Sequence, residues 1–172
     1  MNSKYENALR LGIKDPIKED FNILYLGASH GTTVSIISKK IKGYIFAVEI
    51  SKALATDLIK TAEAFENIIP ILADASQPHS YKEFIPLKVD LIYEDLAQKN
   101  QVEILIKNLI FLKPKGTIIL CIKARAINST GPLENIFKEE LKKLEDAGIK
   151  ITQTTKLEPY EKDHLFLVGT YL

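Results

Sequence analysis

Hydrophobic positions along the chain fall into short runs separated by segments of helical period. Near-continuous apolar runs bounded by turn residues predict strands over Asn22–Leu26, Tyr44–Val48, Ile68–Leu72, Val89–Tyr93 and Thr117–Ile122. Runs of that kind suit strands buried on both faces of a parallel sheet. Between them the spacing predicts helices over Thr32–Ile41, Ser51–Ala64 and Gln98–Phe111, the last with Val102, Leu105, Ile106, Leu109 and Ile110 on one stripe. Pro132 and Gly148 bracket a further helix, Leu133–Ala147, at the positions where proline opens and glycine ends helices. Ile149–Lys156 and Leu165–Tyr171 predict two closing strands. Only Leu157–His164 joins them, too short for a helical crossover, so this pair is expected to be antiparallel. The alternation as a whole implies an α/β fold: a Rossmann-like, doubly wound sheet of seven strands with an antiparallel last strand.

Composition changes this picture little. The chain has 172 residues, 46% hydrophobic and 26% charged, which suits one globular domain over 1–172 and excludes disorder or a coiled coil. Net charge is +1 from 23 basic and 22 acidic residues, so no global basic field marks a strong nucleic-acid binder. A single cysteine, Cys121, excludes an internal disulfide and a cysteine zinc site, and no metal site is expected. No apolar run reaches the roughly 18 residues of a membrane span, and Met1–Asp20 is too polar for a signal peptide. A cytoplasmic protein with no membrane partner is the expectation.

In a doubly wound sheet, ligands collect at the carboxyl ends of the strands. After the first strand comes Gly27-Ala28-Ser29-His30-Gly31-Thr32-Thr33, whose small residues let backbone approach a ligand, with helix amides following that suit a carboxylate or phosphate. The loop lacks a full G-x-G-x-x-G. It does match G-x-S-x-G, the nucleophile elbow of hydrolases, with Ser29 as nucleophile and His164 later in the chain. Only 26 residues precede Gly27, however, and none supply a His-Gly-Gly oxyanion stretch. Glu49 ends the second strand 22 positions beyond Gly27, where an acid commonly binds ribose hydroxyls. Asp74 and Asp95 end the third and fourth strands. An acid at one strand end often caps a helix, but three around one crevice favour a nucleoside ligand carrying an amine or sulfonium. Lys123 follows the fifth strand; near other cations and partly desolvated it would serve as a base, the other reading being a lysine facing RNA or solvent. His164 opens the last strand, and His30 and His79 are assigned loop roles.

Taken together, these stretches resemble the fibrillarin family in its archaeal form. They are Leu24–Val34, Ala47-Val48-Glu49, Asn67–Ile71, Asp74-Ala75, Asp95-Leu96-Ala97-Gln98, Ile122-Lys123-Ala124-Arg125 and Leu157–His164, in the family's order. The predicted sheet is also the arrangement of methyltransferases that use S-adenosylmethionine. The resemblance implies 2′-O-methylation of ribose in rRNA, and of tRNA as well, directed by a box C/D guide RNA on a target RNA. It implies as partners a Nop-domain scaffold protein and a kink-turn-binding ribosomal-type protein.

By the same resemblance, the cofactor would be held by Gly27, Ala28, Ser29 and Gly31 with Thr32 and Thr33 at its methionine end, Glu49 and Ile50 at the ribose, and Asp74 and Ala75 at the adenine. Asp95, Leu96, Ala97 and Gln98 would line the methionine and methyl side. The catalytic set would be Lys4, Asp95, Lys123 and His164, although Tyr5 and Glu6 depart from the small apolar residues expected after Lys4. The N-terminal β-rich region usual in archaeal members is expected to be absent or supplied elsewhere. Methyl transfer to a ribose hydroxyl needs the hydroxyl positioned and its proton removed, through Lys123 oriented by Asp95, or its developing charge stabilised by Lys4 and Lys123. Two other functions compete: a small-molecule O-methyltransferase and a non-catalytic cofactor-binding assembly subunit. The helix Leu133–Ala147, with Lys138, Glu139, Lys142, Lys143 and Glu145, is a candidate docking face through ion pairs.

Overall fold

The computed structural model describes residues 3–172. Its seven strands are β1 (Ile23–Leu26), β2 (Ile45–Glu49), β3 (Ile68–Leu72), β4 (Val89–Glu94), β5 (Leu112–Lys123), β6 (Ile149–Lys156) and β7 (His164–Tyr171). They form one sheet in the order β3-β2-β1-β4-β5-β7-β6. β1 to β5 run parallel, and β7 lies antiparallel to both of its neighbours. The chain winds outward from β1 to β3, then restarts at β4 on the other side of β1. Strand order therefore reverses between β1 and β4, and their carboxyl ends open a crevice there.

The helices are α1 (Lys4–Arg10), α2 (Thr32–Ser38), α3 (Lys52–Ala62), α4 (Gln101–Asn108), α5 (Ala124–Ile127) and α6 (Leu133–Asp146). Apolar side chains alternate between the two faces of the sheet. Ile23, Tyr25, Leu91, Tyr93, Ile119 and Cys121 pack with α1, α2 and α3, while Leu24, Leu26, Ile92, Ile118, Leu120 and Ile122 pack with α4 and α6. Strands β1 and β2 are buried throughout, as their unbroken apolar runs predict. The edge strand β6 alternates instead, with one face in solvent.

Several boundaries differ from the sequence reading for local reasons. β5 begins at Leu112, with an irregularity in its pairing to β4, and Lys113-Pro114-Lys115-Gly116 hides this start behind turn-like composition. The predicted Gln98–Phe111 helix is α4 followed by a 3₁₀ turn over Leu109–Phe111, so Ile110 leaves the apolar stripe and is exposed, whereas Ile104 is fully buried in the core. α1 was not predicted at all. Its signal is present, for Ser3 and Glu6 form a capping box: the Ser3 hydroxyl accepts from the Glu6 amide, and the Glu6 carboxylate accepts from the Ser3 amide. Tyr5, which departs from the family pattern, is buried and donates from its hydroxyl to Asp15 Oδ1 at 2.7 Å.

Candidate active site

The loop after β1 turns sharply enough to need special backbone. Gly27 has φ +82° and Gly31 φ +92°. A Cβ on Gly27 would lie 2.7 Å from the Asp95 carbonyl oxygen and 2.8 Å from Leu96 Cδ2, so glycine lets the loops after β1 and β4 close on each other. Ser29 also takes a left-handed conformation, φ 53°. Glu49, almost fully buried at the end of β2, holds this turn: Oε2 accepts from the Ser29 amide and Oε1 from the Ser51 amide, both at 2.8 Å. Each oxygen keeps a lone pair for a hydroxyl. Asp74 braces its own loop in the same way, accepting from the Ser76 amide at 2.8 Å. Below it, the Ala75 carbonyl accepts from Asn108 Nδ2 and from the Tyr81 hydroxyl.

Gly27, Glu49, Ile50, Asp74, Ala75, Leu96 and Gln98 line one narrow cleft across the ends of β1 to β4. Ile50 is 55% exposed, an apolar side chain left open beside two carboxylates. An adjoining cavity of about 190 Å³ is lined by Ser3, Lys4, Tyr25, Gly27, Ala28, Ser29, His30, Thr32, Thr33, Asp95 and Glu161. Among the sequence-predicted cofactor residues, Gly31 lies in the turn itself, and the exposed Ala97 lines neither space. Glu161, within the Leu157–His164 stretch but given no role by the sequence, does line the cavity.

Three of the four predicted catalytic residues meet. Lys4 Nζ lies 3.1 Å from Asp95 Oδ2 and Lys123 Nζ 3.0 Å from Asp95 Oδ1, so two ammonium groups share one carboxylate. All three side chains are less than a fifth exposed, which keeps the attraction from being screened away. Burial pulls the Lys4 ammonium down, but Asp95, with Glu161 adding to it, more than offsets this and holds the group above the ordinary lysine value. Lys123 thus sits against the carboxylate expected to orient it, with Lys4 as the neighbouring cation on the other oxygen. Its backbone is fixed as well. The Lys123 amide donates to Gln101 Oε1 at 2.9 Å, and Gln101 Nε2 donates to the Gln98 carbonyl at 2.7 Å. Gln101 is fully buried and ties the end of β5 to the loop after β4, a role that its place on a helix face does not announce.

His164 sits directly across the β5–β7 ladder from Lys123. Its Nδ1 is 2.6 Å from the Lys162 carbonyl, which only accepts, so Nδ1 carries the proton and Nε2 is left as the acceptor in the neutral ring. His164 does not line the cavity. Behind the site, Tyr25 and Tyr93 stack with ring centroids 4.4 Å apart. Burial pushes both phenols and the Cys121 thiol up, so all three remain neutral at ordinary pH. On the opposite face, burial likewise raises Glu94 well above the ordinary carboxyl range, and its two oxygens have no hydrogen-bond partner.

The hydrolase alternative fails on geometry. Ser29 Oγ meets His30 Nδ1 at 3.1 Å rather than His164, and the other nitrogen of His30 meets the Thr32 hydroxyl at 2.9 Å, so no carboxylate orients that imidazole. The α6 face also differs from expectation. Lys143 is committed to Glu103 and Glu140, and Lys142 to Asp146, leaving fewer charges for docking. A groove of about 670 Å³ between α6 and β6 contains none of the crevice residues. Among the described residues there is no cluster able to hold a metal ion, and no helix is long and apolar enough to cross a membrane.

Comparison with known proteins adds to this geometry. The sequence model of the Fibrillarin family matches residues 1–172. A protein of Methanocaldococcus jannaschii named fibrillarin-like rRNA/tRNA 2′-O-methyltransferase is 46% identical over 172 residues, covering 98% of this chain and 74% of that one. A solved fibrillarin/Nop5p complex superposes with TM-score 0.94 at 42% identity, covering 99% of this chain and 81% of that one. Aeropyrum pernix fibrillarin, solved with natively bound S-adenosyl-L-methionine, superposes with TM-score 0.86 at 35% identity, covering 96% and 75%.

Proposed function

The chain belongs to the fibrillarin family, and from that premise we propose that it methylates ribose 2′-hydroxyls of rRNA and tRNA, with S-adenosylmethionine as cofactor and a box C/D guide RNA choosing the nucleotide. The observation that carries the reading is the convergence of Lys4 and Lys123 on the two oxygens of Asp95, beside a cleft lined by Glu49 and Asp74. Residues 1–172 act as one catalytic domain in this reading.

The cleft suits the cofactor. Its floor at Gly27 admits no side chain, its acids accept from hydroxyls and amines, and Ile50 offers an apolar surface to a base or ribose. Glu49 would hold the ribose hydroxyls, Asp74 with Ala75 the adenine, and Thr32 and Thr33 the methionine end. When bound, the cofactor supplies an electrophilic methyl group on a sulfonium. Asp95 fixes both lysines, so that they meet the target hydroxyl as preorganised donors. Lys4, its proton held firmly, stabilises negative charge developing on the ribose oxygen, and Lys123 shares that task or passes a proton onward. Nε2 of His164 is an acceptor on the strand beside Lys123, suited to a supporting place in that passage.

A net charge of +1 gives the chain little hold of its own on a polyanion. A Nop-domain scaffold protein therefore delivers it, as the solved complex of a relative supports. A kink-turn-binding protein, the guide RNA and the target RNA complete the assembly. The test is transfer of labelled methyl groups from S-adenosylmethionine to target RNA at physiological salt, with and without the reconstituted particle. Site-specific transfer only with the particle is expected. Cofactor binding without transfer in either condition would instead mark a non-catalytic assembly subunit.

A further inference from the structure

Strand β5 outruns its parallel neighbour. The pairing of β4 with β5 ends at Glu94 opposite Leu120, while β5 continues through Cys121 and Ile122 to Lys123. On its other side β5 stays paired with β7 to the end: Lys123 stands opposite His164, and the Ala124 amide donates to the Asp163 carbonyl at 3.1 Å. Hydrogen-bonded and non-hydrogen-bonded pairs alternate along an antiparallel ladder. With the bonded pair at Ala124, the amide and carbonyl of Lys123 point away from β7, toward the side where β4 has ended. A half-buried peptide group there needs a partner that no strand supplies.

Gln101, fully buried at the start of α4, supplies it. Its side-chain amide takes the place of the absent strand: Oε1 accepts from the Lys123 amide at 2.9 Å, and Nε2 faces the Lys123 carbonyl at 3.5 Å. The same Nε2 has a second N–H, which it donates to the Gln98 carbonyl at 2.7 Å. Gln98 lines the narrow cleft with Gly27, Glu49 and Asp74, whereas Lys123 lines neither the cleft nor the cavity beside Asp95. At its far end Lys123 returns to the same loop, Nζ lying 3.0 Å from Asp95 Oδ1 and 3.4 Å from the Asp95 carbonyl oxygen. The loop after β4 therefore grips this lysine twice, by its ammonium at Asp95 and by its backbone through Gln101. The second grip leads to the wall of the cleft.

We infer that Gln101 is a positioning residue that links the two halves of the crevice: it registers Lys123 against the loop that carries Asp95 and Gln98, so that a ligand seated against Gln98 steadies the lysine. The inference rests on the proposed cofactor reading and adds to it a coupling between occupancy of the cleft and the placement of a reaction group. The side chain suits the task. A neutral amide is donor and acceptor at once, and it brings no further charge to the two ammonium groups that share Asp95. Coupling of this kind is reciprocal: whatever the ligand does for the bond between Lys123 and Gln101, that bond does for the ligand.

The Lys123 amide reports on that bond directly, because its exchange with solvent requires the contact to open. The experiment is amide hydrogen exchange by NMR on the full chain, with and without saturating S-adenosylhomocysteine. Exchange at Lys123 is expected to slow by about fivefold or more, the low end of site-to-site coupling. Ala124, the neighbouring amide at the ladder end, is bonded to Asp163 instead and should change by less than about twofold. Gln101→Met keeps the length of the side chain and removes its amide. In that variant exchange at Lys123 should rise and lose its response to ligand, and S-adenosylhomocysteine should bind about fivefold more weakly. Single-turnover transfer at saturating S-adenosylmethionine in the reconstituted particle should fall by about tenfold or more, a loss that weaker binding does not explain. A merely destabilised chain would show faster exchange at Ala124 as well. Unchanged exchange at Lys123 with ligand bound, equal slowing at Ala124, or transfer by Gln101→Met at the unmodified rate would overturn the inference. If Gln101→Met does not fold, the ligand response of the unmodified chain decides alone. Failure of S-adenosylhomocysteine to bind would instead overturn the cofactor reading beneath it.

Discussion

The two halves of the crevice, proposed above to hold the nucleoside and to carry the reaction, are built on opposite plans. Gly27, Glu49 and Asp74 stand at the ends of neighbouring parallel strands, and both carboxylates are braced by backbone amides of their own or adjacent loops. Lys4, Asp95 and Lys123 come from the first helix, a loop and the far end of β5, and what unites them is a single carboxylate. The first half draws its geometry from the sheet, so losing one member, even Glu49 with its two amide hydrogen bonds, leaves the strand ends in place. The second draws its geometry from its own charges, so losing Asp95 disperses all of it.

That contrast can be broken by mutation. Asp95→Asn should have the largest effect: with the shared charge gone, two largely buried ammonium groups repel, and transfer should fall by about 100-fold or more, with some loss of stability. Single-turnover methylation in the reconstituted particle, with thermal unfolding in parallel, checks this. Glu49→Ala should weaken S-adenosylmethionine by about 1–3 kcal/mol through lost hydrogen bonds to a charged acceptor, read by calorimetry. Unchanged affinity would remove Glu49 from the ribose contact. A smaller loss, confined to transfer, is expected from Ser3→Ala. The capping box contributes about 1 kcal/mol to the helix that presents Lys4, and Ser3→Asp should restore the rate while cofactor affinity stays constant throughout.

The smallest effect on either half is expected from Glu94→Gln. Glu94 is the last residue of β4, next to Asp95 in the chain, but faces the opposite core, where burial keeps it protonated. Because its folded value lies above the unfolded one, its contribution to stability is complete below the ordinary carboxyl range. It declines as pH rises toward the folded value, by about 1.4 kcal/mol per pH unit. Glutamine mimics the neutral acid and should flatten that decline in urea unfolding at several pH values. Transfer and cofactor binding should stay within about twofold, since Glu94 lines neither the cleft nor the cavity.

Legibility in the sequence followed the same division. The strands of the nucleoside half are unbroken apolar runs, and the acids after them mark their ends, so Glu49 and Asp74 were found from position alone. The reaction half is a long-range convergence. Lys4 is implied by the resemblance alone, because α1 is too short for a periodic signal and only the Ser3–Glu6 capping box marks it. The Lys123–Asp95 pairing likewise came only with the resemblance, since nothing in local spacing brings residue 95 to residue 123. Gln101 and Glu161 were missed for the same reason: one acts through a hydrogen bond across the sheet, the other through the wall it forms in a cavity. His30 could be matched to Ser29 and Thr32 only once the left-handed turn folded the three together.

The division of labour is tested most directly by Lys123→Ala, with the methyl-transfer rate and the S-adenosylmethionine dissociation constant measured on the same reconstituted particle. Transfer should be lost while cofactor affinity stays within a few-fold, because Lys123 lines neither the cleft nor the cavity and, in the proposed function, meets the target hydroxyl alongside Asp95. Transfer at near the unmodified rate, or a loss that merely follows weakened cofactor binding, would contradict the account.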